Sequence, residues 1–478
     1  MTGEDAPIGT DERDTLLAPL LDCPVLVLAV SGGPDSTALL HLVAGWWLDR
    51  KRDMASVLAV TVDHGLRAGS AQEAADVARQ AGILGVPHRI SRWEGPAPAS
   101  GLQAAARAAR YRLLALAALD ASAATGPPAT ILTAHTADDQ AETFLMRLAR
   151  GSGVDGLSAI PARTAITLPL ASGEHASIPV LRPFLSVGRG RLLATLAVAG
   201  IPYSDDPSNR DTRFERVRVR EALEVLARLG VTREALARSA ARLRLARSAL
   251  EQAANDVEAK AVRHVWGVVH EIDRSALCSV PFETAVRIVR RVLAHAGGSA
   301  RPAELGAVEE AVTRLRTDST VSAFTIGGCI VDARPARDAE TRFLRIYREP
   351  DRDGGLPRMS VAPGQAAIWD ARFRVSVGAW HGTAVDVGPL GSDWSRLITE
   401  FPDLSRLALP SAAARGIPAF REAGRLLAVP WLAWMAGSVG AADATAALSG
   451  PLRDARAAVS DGPAFSATPL AGPPCTAN

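Results

Sequence analysis

The run Val25-Leu26-Val27-Leu28-Ala29-Val30, followed by Ser31-Gly32-Gly33-Pro34-Asp35-Ser36, is where the architecture of this chain can be read. Its first half is continuous, apolar and rich in β-branched residues, as a parallel strand buried on both faces should be. Its second half is a tight turn into a helix, because Leu39, Leu40, Val43, Trp46 and Trp47 repeat at helical spacing over residues 36–48. The alternation continues outward. Val57–Val62 predicts a second strand, Ser70 and Glu73 form a capping-box pattern opening a helix through Ala81, and residues 86–90 predict a short third strand. An Ala/Arg/Leu helix is expected over 102–119, a fourth strand over Ile131–Ala134 and a helix over 138–149. Strands alternating with helices specify an α/β domain with a doubly wound, Rossmann-like parallel sheet. Ligands of such sheets lie at the carboxyl ends of the strands, so the residues just after strands one, two and four matter most.

After strand one, the two glycines let the backbone turn and approach a ligand, and the helix start offers free N–H groups and a positive dipole end. Ser31 and Ser36 add hydroxyls. Asp35 would be repelled by bare phosphate, so its presence there implies Mg²⁺ between them. No Gly-Lys-Ser/Thr follows, which excludes a Walker A loop. After strand two come Asp63-His64-Gly65-Leu66-Arg67, facing the same crevice. Arg107, Arg110 and Tyr111 share a face of the 102–119 helix. After strand four come His135-Thr136-Ala137-Asp138-Asp139-Gln140-Ala141-Glu142. Asp138 with Glu142 and Asp139 with Glu142 are helical neighbours, and like charges there repel unless a cation lies between them. Capping and dipole complementation account for Asp138 and Asp139 but not for Glu142 or His135. The cation expected is Mg²⁺ or a substrate ammonium; zinc is disfavoured, because His135 has no Cys partners and the chain has no HExxH. Gly151-Ser152-Gly153-Val154-Asp155-Gly156 matches GxGxxG by letter, but it follows a helix and precedes no clear one, so it reads as a mobile loop over the crevice instead of a dinucleotide fingerprint.

Composition narrows the class. The 478 residues carry 53 basic and 51 acidic side chains, a net charge of +2, which excludes a uniformly basic nucleic-acid coat. All but Lys51 and Lys260 of the basic residues are arginine, a bias that weakens any argument from arginine number. With 48% hydrophobic and 22% charged residues the chain is not disordered. Cys23, Cys278, Cys329 and Cys475 are too scattered for a zinc ribbon, an iron–sulfur cluster or a disulfide scaffold. The acidic start and the interrupted apolar stretch Leu16–Val30 give neither a signal peptide nor a membrane span, and the expectation is a cytoplasmic protein. The expected organisation is a nucleotide-handling domain over 1–220, a helical and mixed domain over 221–340, a smaller mixed α/β domain over 341–462, where Phe373, Val375 and Val377 alternate as in a strand, and a disordered Pro/Ala/Ser-rich tail over 463–478. Residues 182–250 hold 14 Arg against 7 Asp/Glu, so the basic charge is concentrated just beyond the sheet.

The string Ser31–Ser36 resembles the PP-loop of the ATP pyrophosphatase superfamily, whose members split ATP between the α- and β-phosphates. Together with Asp63-His64-Gly65-Leu66-Arg67, Gly101–Tyr111, His135–Thr143, Arg150–Leu157 and Asp206–Arg216, the chain resembles the tRNA(Ile)-lysidine synthetase family over residues 23–220. Weaker echoes follow at Thr325-Ile326-Gly327-Gly328-Cys329 and Trp369-Asp370-Ala371-Arg372-Phe373, and Val217 stands where the family commonly has Asn. The resemblance implies ligation of lysine to carbon 2 of the wobble cytidine of tRNA(Ile) with a CAU anticodon, through an adenylated intermediate, with ATP and Mg²⁺. It further implies ATP contacts at Ser31, Gly32, Gly33, Pro34, Asp35, Ser36, Asp63 and His64, with Mg²⁺ on Asp35. Arg107, or Arg110 in its place, would hold the cytosine or its adenylate; Asp138, Asp139 and Glu142 the lysine; and His135 would sit near the phosphates or accept a proton. Arg110, Arg213, Arg216, Arg218 and Arg220 are the expected tRNA contacts. The sequence leaves open whether the chain forms a homodimer. Two other readings compete: a tRNA-thiolating enzyme, which commonly needs the CxxC absent here, and a tRNA-binding module with an inert pocket.

Overall fold

β1 (Leu26–Ala29) is the centre of a sheet whose order, among the described residues, is β3-β2-β1-β4-β6-β5. Its neighbours are β2 (Val57–Asp63) and β4 (Thr130–Leu132), outside them lie β3 (His88–Arg92) and β6 (His175–Leu181), and β5 (Arg163–Pro169) forms the edge. All pairs are parallel except β5 with β6. In this computed structural model the described residues are all but 1–5, 66–69, 95–100, 124–125, 171–174, 205–212, 214, 299–300, 319, 335–342, 351–354, 380, 433, 436–464 and 470–478.

Alternation along β1 assigns its two faces. Leu26 and Leu28 pack with buried residues of the helices α1 (Thr10–Leu17), α2 (Pro34–Asp49), α3 (Ser70–Ile83) and α7 (Arg189–Val198); between α3 and α7 the chain forms α4 (Leu102–Ala121), α5 (Ala137–Leu148) and α6 (Val154–Leu157). Val25 and Val27 pack with Leu114, Ala115, Ala117 and Ala118 of α4 on the opposite face. A strand covered on both faces has no polar side to offer, which is why residues 25–30 are apolar throughout. The sheet is doubly wound as expected, with crossovers diverging from β1 toward β2 on one side and β4 on the other.

The edge hairpin β5–β6 was not expected from sequence, and the one-turn α6 corrects the expectation of no helix after Gly153. Nor is that loop free, because Arg147 Nη1 donates to the carbonyls of Gly156 at 2.7 Å and Ala159 at 3.0 Å. The helical region begins with α8 (Glu215–Arg228) and α9 (Arg233–Ala261). Leu223, Leu236 and Ala240 share a core with Ala141 and Phe144 of α5, so these helices complete the first compact unit, which runs to residue 247. The expected boundary at 220/221 marked a change of secondary structure, not of core.

The second unit, from residue 248, contains β7 (Val262–Val265), β8 (Val269–Asp273), α10 (Arg274–Ser279), α11 (Phe282–Gly297), α12 (Leu305–Thr317), β9 (Ala323–Ile326), β10 (Cys329–Asp332) and β11 (Phe343–Arg348). Its first sheet has the order β7-β8-β11-β10-β9, so β11, although beyond 340, is hydrogen-bonded to β8 and β10 and the expected 340/341 boundary divides paired strands. Then come β12 (Met359–Val361), β13 (Ala366–Trp369), β14 (Phe373–Val377), β15 (Val385–Pro389), α13 (Asp393–Glu400), α14 (Ser411–Arg415), β16 (Pro418–Glu422), β17 (Arg425–Val429), β18 (Trp434–Met435) and β19 (Phe465–Pro469). The alternation at Phe373, Val375 and Val377 is indeed a strand with those three side chains buried. β19 corrects the expectation of disorder from 463: it pairs along all of β14, Ala467 packs on the core, and the Ser466 and Ser376 hydroxyls lie 2.7 Å apart. Small side chains suffice there because β14 supplies the bulk. Both C-terminal echoes are hairpin turns. Gly327 and Gly328 join β9 to β10, and Asp370 and Ala371 join β13 to β14, all four at positive φ as a tight two-residue turn requires. Among the described residues no helix is long and apolar enough to cross a membrane.

Candidate active site

The crevice at the carboxyl ends of β1, β2 and β4 is a cavity of about 430 Å³. It lies where strand order reverses, as expected of this topology. The loop after β1 is shaped by its own side chains. Gly32 has φ +88°, and a Cβ there would stand 3.4 Å from Val77 Cγ2. Ser36 Oγ donates to Gly33 O at 3.0 Å and accepts from the Ser31 N–H at 3.1 Å, while the two serine hydroxyls lie 3.2 Å apart. Thr37 Oγ1 closes the turn on Gly32 O at 3.2 Å. The Ser36 hydroxyl therefore serves the loop, and the exposed Ser31 is the hydroxyl nearer to solvent. Pro34 occupies the first turn of α2, whose N–H groups have no intrahelical acceptor.

Asp35 faces this cavity with Oδ1 buried and without a hydrogen-bond partner; its nearest cation is Arg189 Nε at 3.5 Å. Burial pushes its carboxyl up to about 6, against the pull of Arg189 and with Asp139 and Asp138 adding to the rise. A buried carboxylate oxygen without a hydrogen-bond donor fits a divalent cation, which would restore its charge. Asp63, after β2, accepts from the Gly65 N–H at 2.9 Å, and His64 stands edge-on to Trp93 with Nδ1 buried and unpartnered. Burial, then Arg110, lower the His64 pKa, against the pull of Asp63, and so favour the neutral ring. Leu66, Arg67 and residues 206–212 and 214 of the Asp206–Arg216 motif lie outside the described residues.

After β4, His135 is buried with Nδ1 2.8 Å from Thr133 Oγ1. Burial lowers its pKa to about 4, partly opposed by Asp139 and reinforced by Arg182, Arg110 and Arg107, so at neutral pH it is an acceptor and not a cation. Asp139 caps α5, its Oδ2 accepting from the Thr136 N–H at 2.9 Å, and lines the cavity. Asp138 does not line it; it accepts from the Arg189 N–H at 2.7 Å and pairs with Arg233 Nε at 3.3 Å. Glu142 is 2% exposed and receives Arg220 Nε at 2.5 Å, with Oε2 left buried and unpartnered. The cation expected between these carboxylates is thus supplied, for Glu142 and Asp138, by arginines of the chain itself. Burial raises the Glu142 pKa and Arg220 draws it back.

Residues 12–226 match the PP-loop domain family. A tRNA(Ile)-lysidine synthase of Bradyrhizobium diazoefficiens is 45% identical over 318 residues, covering 65% of this chain and 84% of that protein. The chain belongs to the tRNA(Ile)-lysidine synthase family. Another member, from Methylobacterium nodulans, is 46% identical over 60% of this chain and 79% of its own length, and one from Methylobacterium sp. (strain 4-46) is 41% identical over 74% and 98%.

Against the residues this family resemblance singles out, the cavity brings together Ser31, Gly33, Pro34, Asp35, Ser36, Asp63, His64, Arg110, His135, Asp139, Arg216 and Arg220. Arg107 is exposed instead and lies over the Tyr111 ring, its guanidinium carbon 5.1 Å from the centroid. Arg213 and Arg218 are also exposed, with Arg218 Nη1 donating to Arg213 O at 3.0 Å. Val217, at the family's Asn position, is buried on α8, where an apolar side chain needs no partner. Two arginines were missed. Arg182, at the end of β6, is buried and donates to Pro161 O and Thr164 Oγ1. Arg189 stands in the first turn of α7, the end of a helix where a cation is disfavoured. That local conflict was a readable signal that carboxylates lie opposite.

Proposed function

We propose that this chain joins lysine to the wobble cytidine of a tRNA(Ile) with a CAU anticodon, consuming ATP and releasing diphosphate and then AMP. The reading is carried by the convergence, on one cavity, of a PP-loop whose Asp35 keeps a buried oxygen without a hydrogen-bond donor and of Asp139 from the acidic helix. In the first step the cytosine carbonyl oxygen attacks the α-phosphate of ATP, forming a phosphoester and expelling diphosphate. The α2 N-terminus, Arg189 and Arg216 are placed to meet the phosphates' charge. Mg²⁺, when bound, would neutralise charge developing on the leaving diphosphate, and Asp35, with Asp139 nearby, would hold it. In the second step the lysine ε-amine attacks carbon 2, and the bond to the AMP oxygen breaks.

Glu142 and Asp139 offer the lysine ammonium anionic partners, for which Arg220 must yield its place on Glu142. His135, neutral and buried, accepts a proton, and Arg110 is better placed than the exposed Arg107 to hold the base. The exposed Arg213 and Arg218, with the rest of the 182–250 basic segment, suit the tRNA backbone. A thiolating activity is disfavoured by the cysteines: Cys278 is exposed and solitary, and Cys329 is buried, which pushes its thiol up to about 12. The deciding assay mixes purified protein with ATP, [¹⁴C]lysine and the CAU-anticodon tRNA(Ile). Label in the tRNA at the wobble position is expected; no label, with sulfur or another group transferred by the same preparation, overturns the reading.

A further inference from the structure

Far along the chain from the PP-loop, the second unit gathers three histidines that the ATP chemistry does not use. His264 on β7 and His270 on β8 are directly opposed across an antiparallel pair, so both side chains project to one face. Their Nδ1 atoms are 2.7 Å apart. His295, in the last turn of α11, completes the group, with ring centroids 4.8 Å from His270 and 5.4 Å from His264. One ligand nitrogen from each ring lies within 4.8 Å of the other two. We propose that His264, His270 and His295 form a binding site for one divalent transition metal, Zn²⁺ by preference.

The chemistry of the group supports this. Three imidazoles suit zinc-like borderline cations and offer nothing to Mg²⁺ or Ca²⁺, which take oxygen. Two nitrogens on a tetrahedral zinc sit about 3.3 Å apart, from Zn–N bonds of about 2.0–2.1 Å. The His264–His270 pair must therefore open by about half an ångström, and the His295 nitrogen, within 4.8 Å of the other two, must close toward the same spacing. Neutral imidazole is the ligating form. The C-terminal end of α11 and the Glu258 carboxylate near His264 favour a cation, while the guanidinium of Arg372, which acts on His270, opposes one. β7 is the sheet edge and His264 is exposed, which gives the ion an entry path and leaves a fourth position for water.

The 478-residue chain, stripped with a chelator, would be titrated with Zn²⁺ by calorimetry and with Co²⁺ by visible absorption. One equivalent with the ligand-field bands of tetrahedral cobalt is expected. His264→Gln, at an exposed position on the edge strand, should weaken Zn²⁺ binding by more than the roughly 10–100-fold typical of changes outside the ligand shell. His295→Gln should do the same, and Cys278→Ser should change nothing. Zn²⁺ should also raise Tm for the parent protein and not for the histidine variants. Failure to bind a stoichiometric metal overturns the proposal, as does binding that survives both histidine substitutions.

Discussion

Asp35 is the residue at which charge and burial conflict most directly. Burial raises its pKa to about 6, Arg189 resists, and Asp139 and Asp138 add to the rise. The unfolded chain would ionise the same group near about 3.9. Between those values the folded state holds the extra proton, so stability falls as pH rises through about 6 and stays low above it. Asp35→Asn should therefore stabilise the nucleotide-free protein at pH 8 by up to about 3 kcal/mol, less whatever Arg189 loses, and the gain should shrink as pH falls below 6. The same substitution should abolish diphosphate release while leaving tRNA binding intact. Urea unfolding at pH 5 and pH 8 checks the first statement; a variant less stable at pH 8 would make Asp35 a structural partner of Arg189. At this scale the sequence revealed whatever is contiguous: Ser31–Ser36 and His135–Glu142 each stand on one strand–helix junction. It could not reveal that Glu142 meets Arg220, 78 residues later, because one arginine among many carries no local mark of going inside. Arg189 carried such a mark, its place at a helix start, and needed the fold to show its partners.

Elements were legible where period and burial agree. The central parallel strands β1, β2 and β4 are apolar runs of the right length, and α2 has a full apolar face, so both could be read directly. β5 and β6 form the antiparallel edge, half solvated, and their alternation is interrupted by Pro169 and Pro179. β19 was hidden by its neighbours, because a Pro/Ala/Ser-rich composition describes the segment and not the five residues that find an open strand beside them. The consequence is measurable. Ending the chain after Gly462 removes every β19 hydrogen bond to β14, the Ser376–Ser466 contact and the cover that Ala467 gives the core. It also leaves β14 as an unpaired edge beside buried Phe373, Val375 and Val377, a site for aggregation. The truncated protein should melt lower, by about 2–4 °C for each kcal/mol lost in a unit of this size, and should aggregate sooner on heating. An unchanged Tm would mean that the strand contributes no net stability.

For the whole molecule, composition gave a sign and the fold gives it a place. A net charge of +2 conceals a segment, 182–250, with twice as many arginines as carboxylates. The fold divides that surplus by task. Arg189, Arg216 and Arg220 turn into the cavity, Arg233 and Arg244 are tied to Asp138 and to the carbonyls of Ser158 and Ile160, and Arg213 and Arg218 face solvent. The sequence could not place the unit boundary near residue 247, because α9 runs through it as one unbroken 29-residue helix. Yet it is the assignment of α8 and early α9 to the catalytic unit that puts this charge beside the active crevice. If Arg213 and Arg218 each neutralise a tRNA phosphate, the logarithm of affinity against the logarithm of salt should lose about 0.7–0.9 in slope for each one removed. Arg213→Gln/Arg218→Gln should therefore weaken tRNA binding at low salt, flatten the salt dependence by about 1.4–1.8, and leave ATP binding unchanged. Filter binding from low to moderate salt measures the slope. Weaker binding with the parent slope would place these arginines on base edges or in the fold of α8, and an unchanged affinity would move the tRNA path elsewhere on the basic segment.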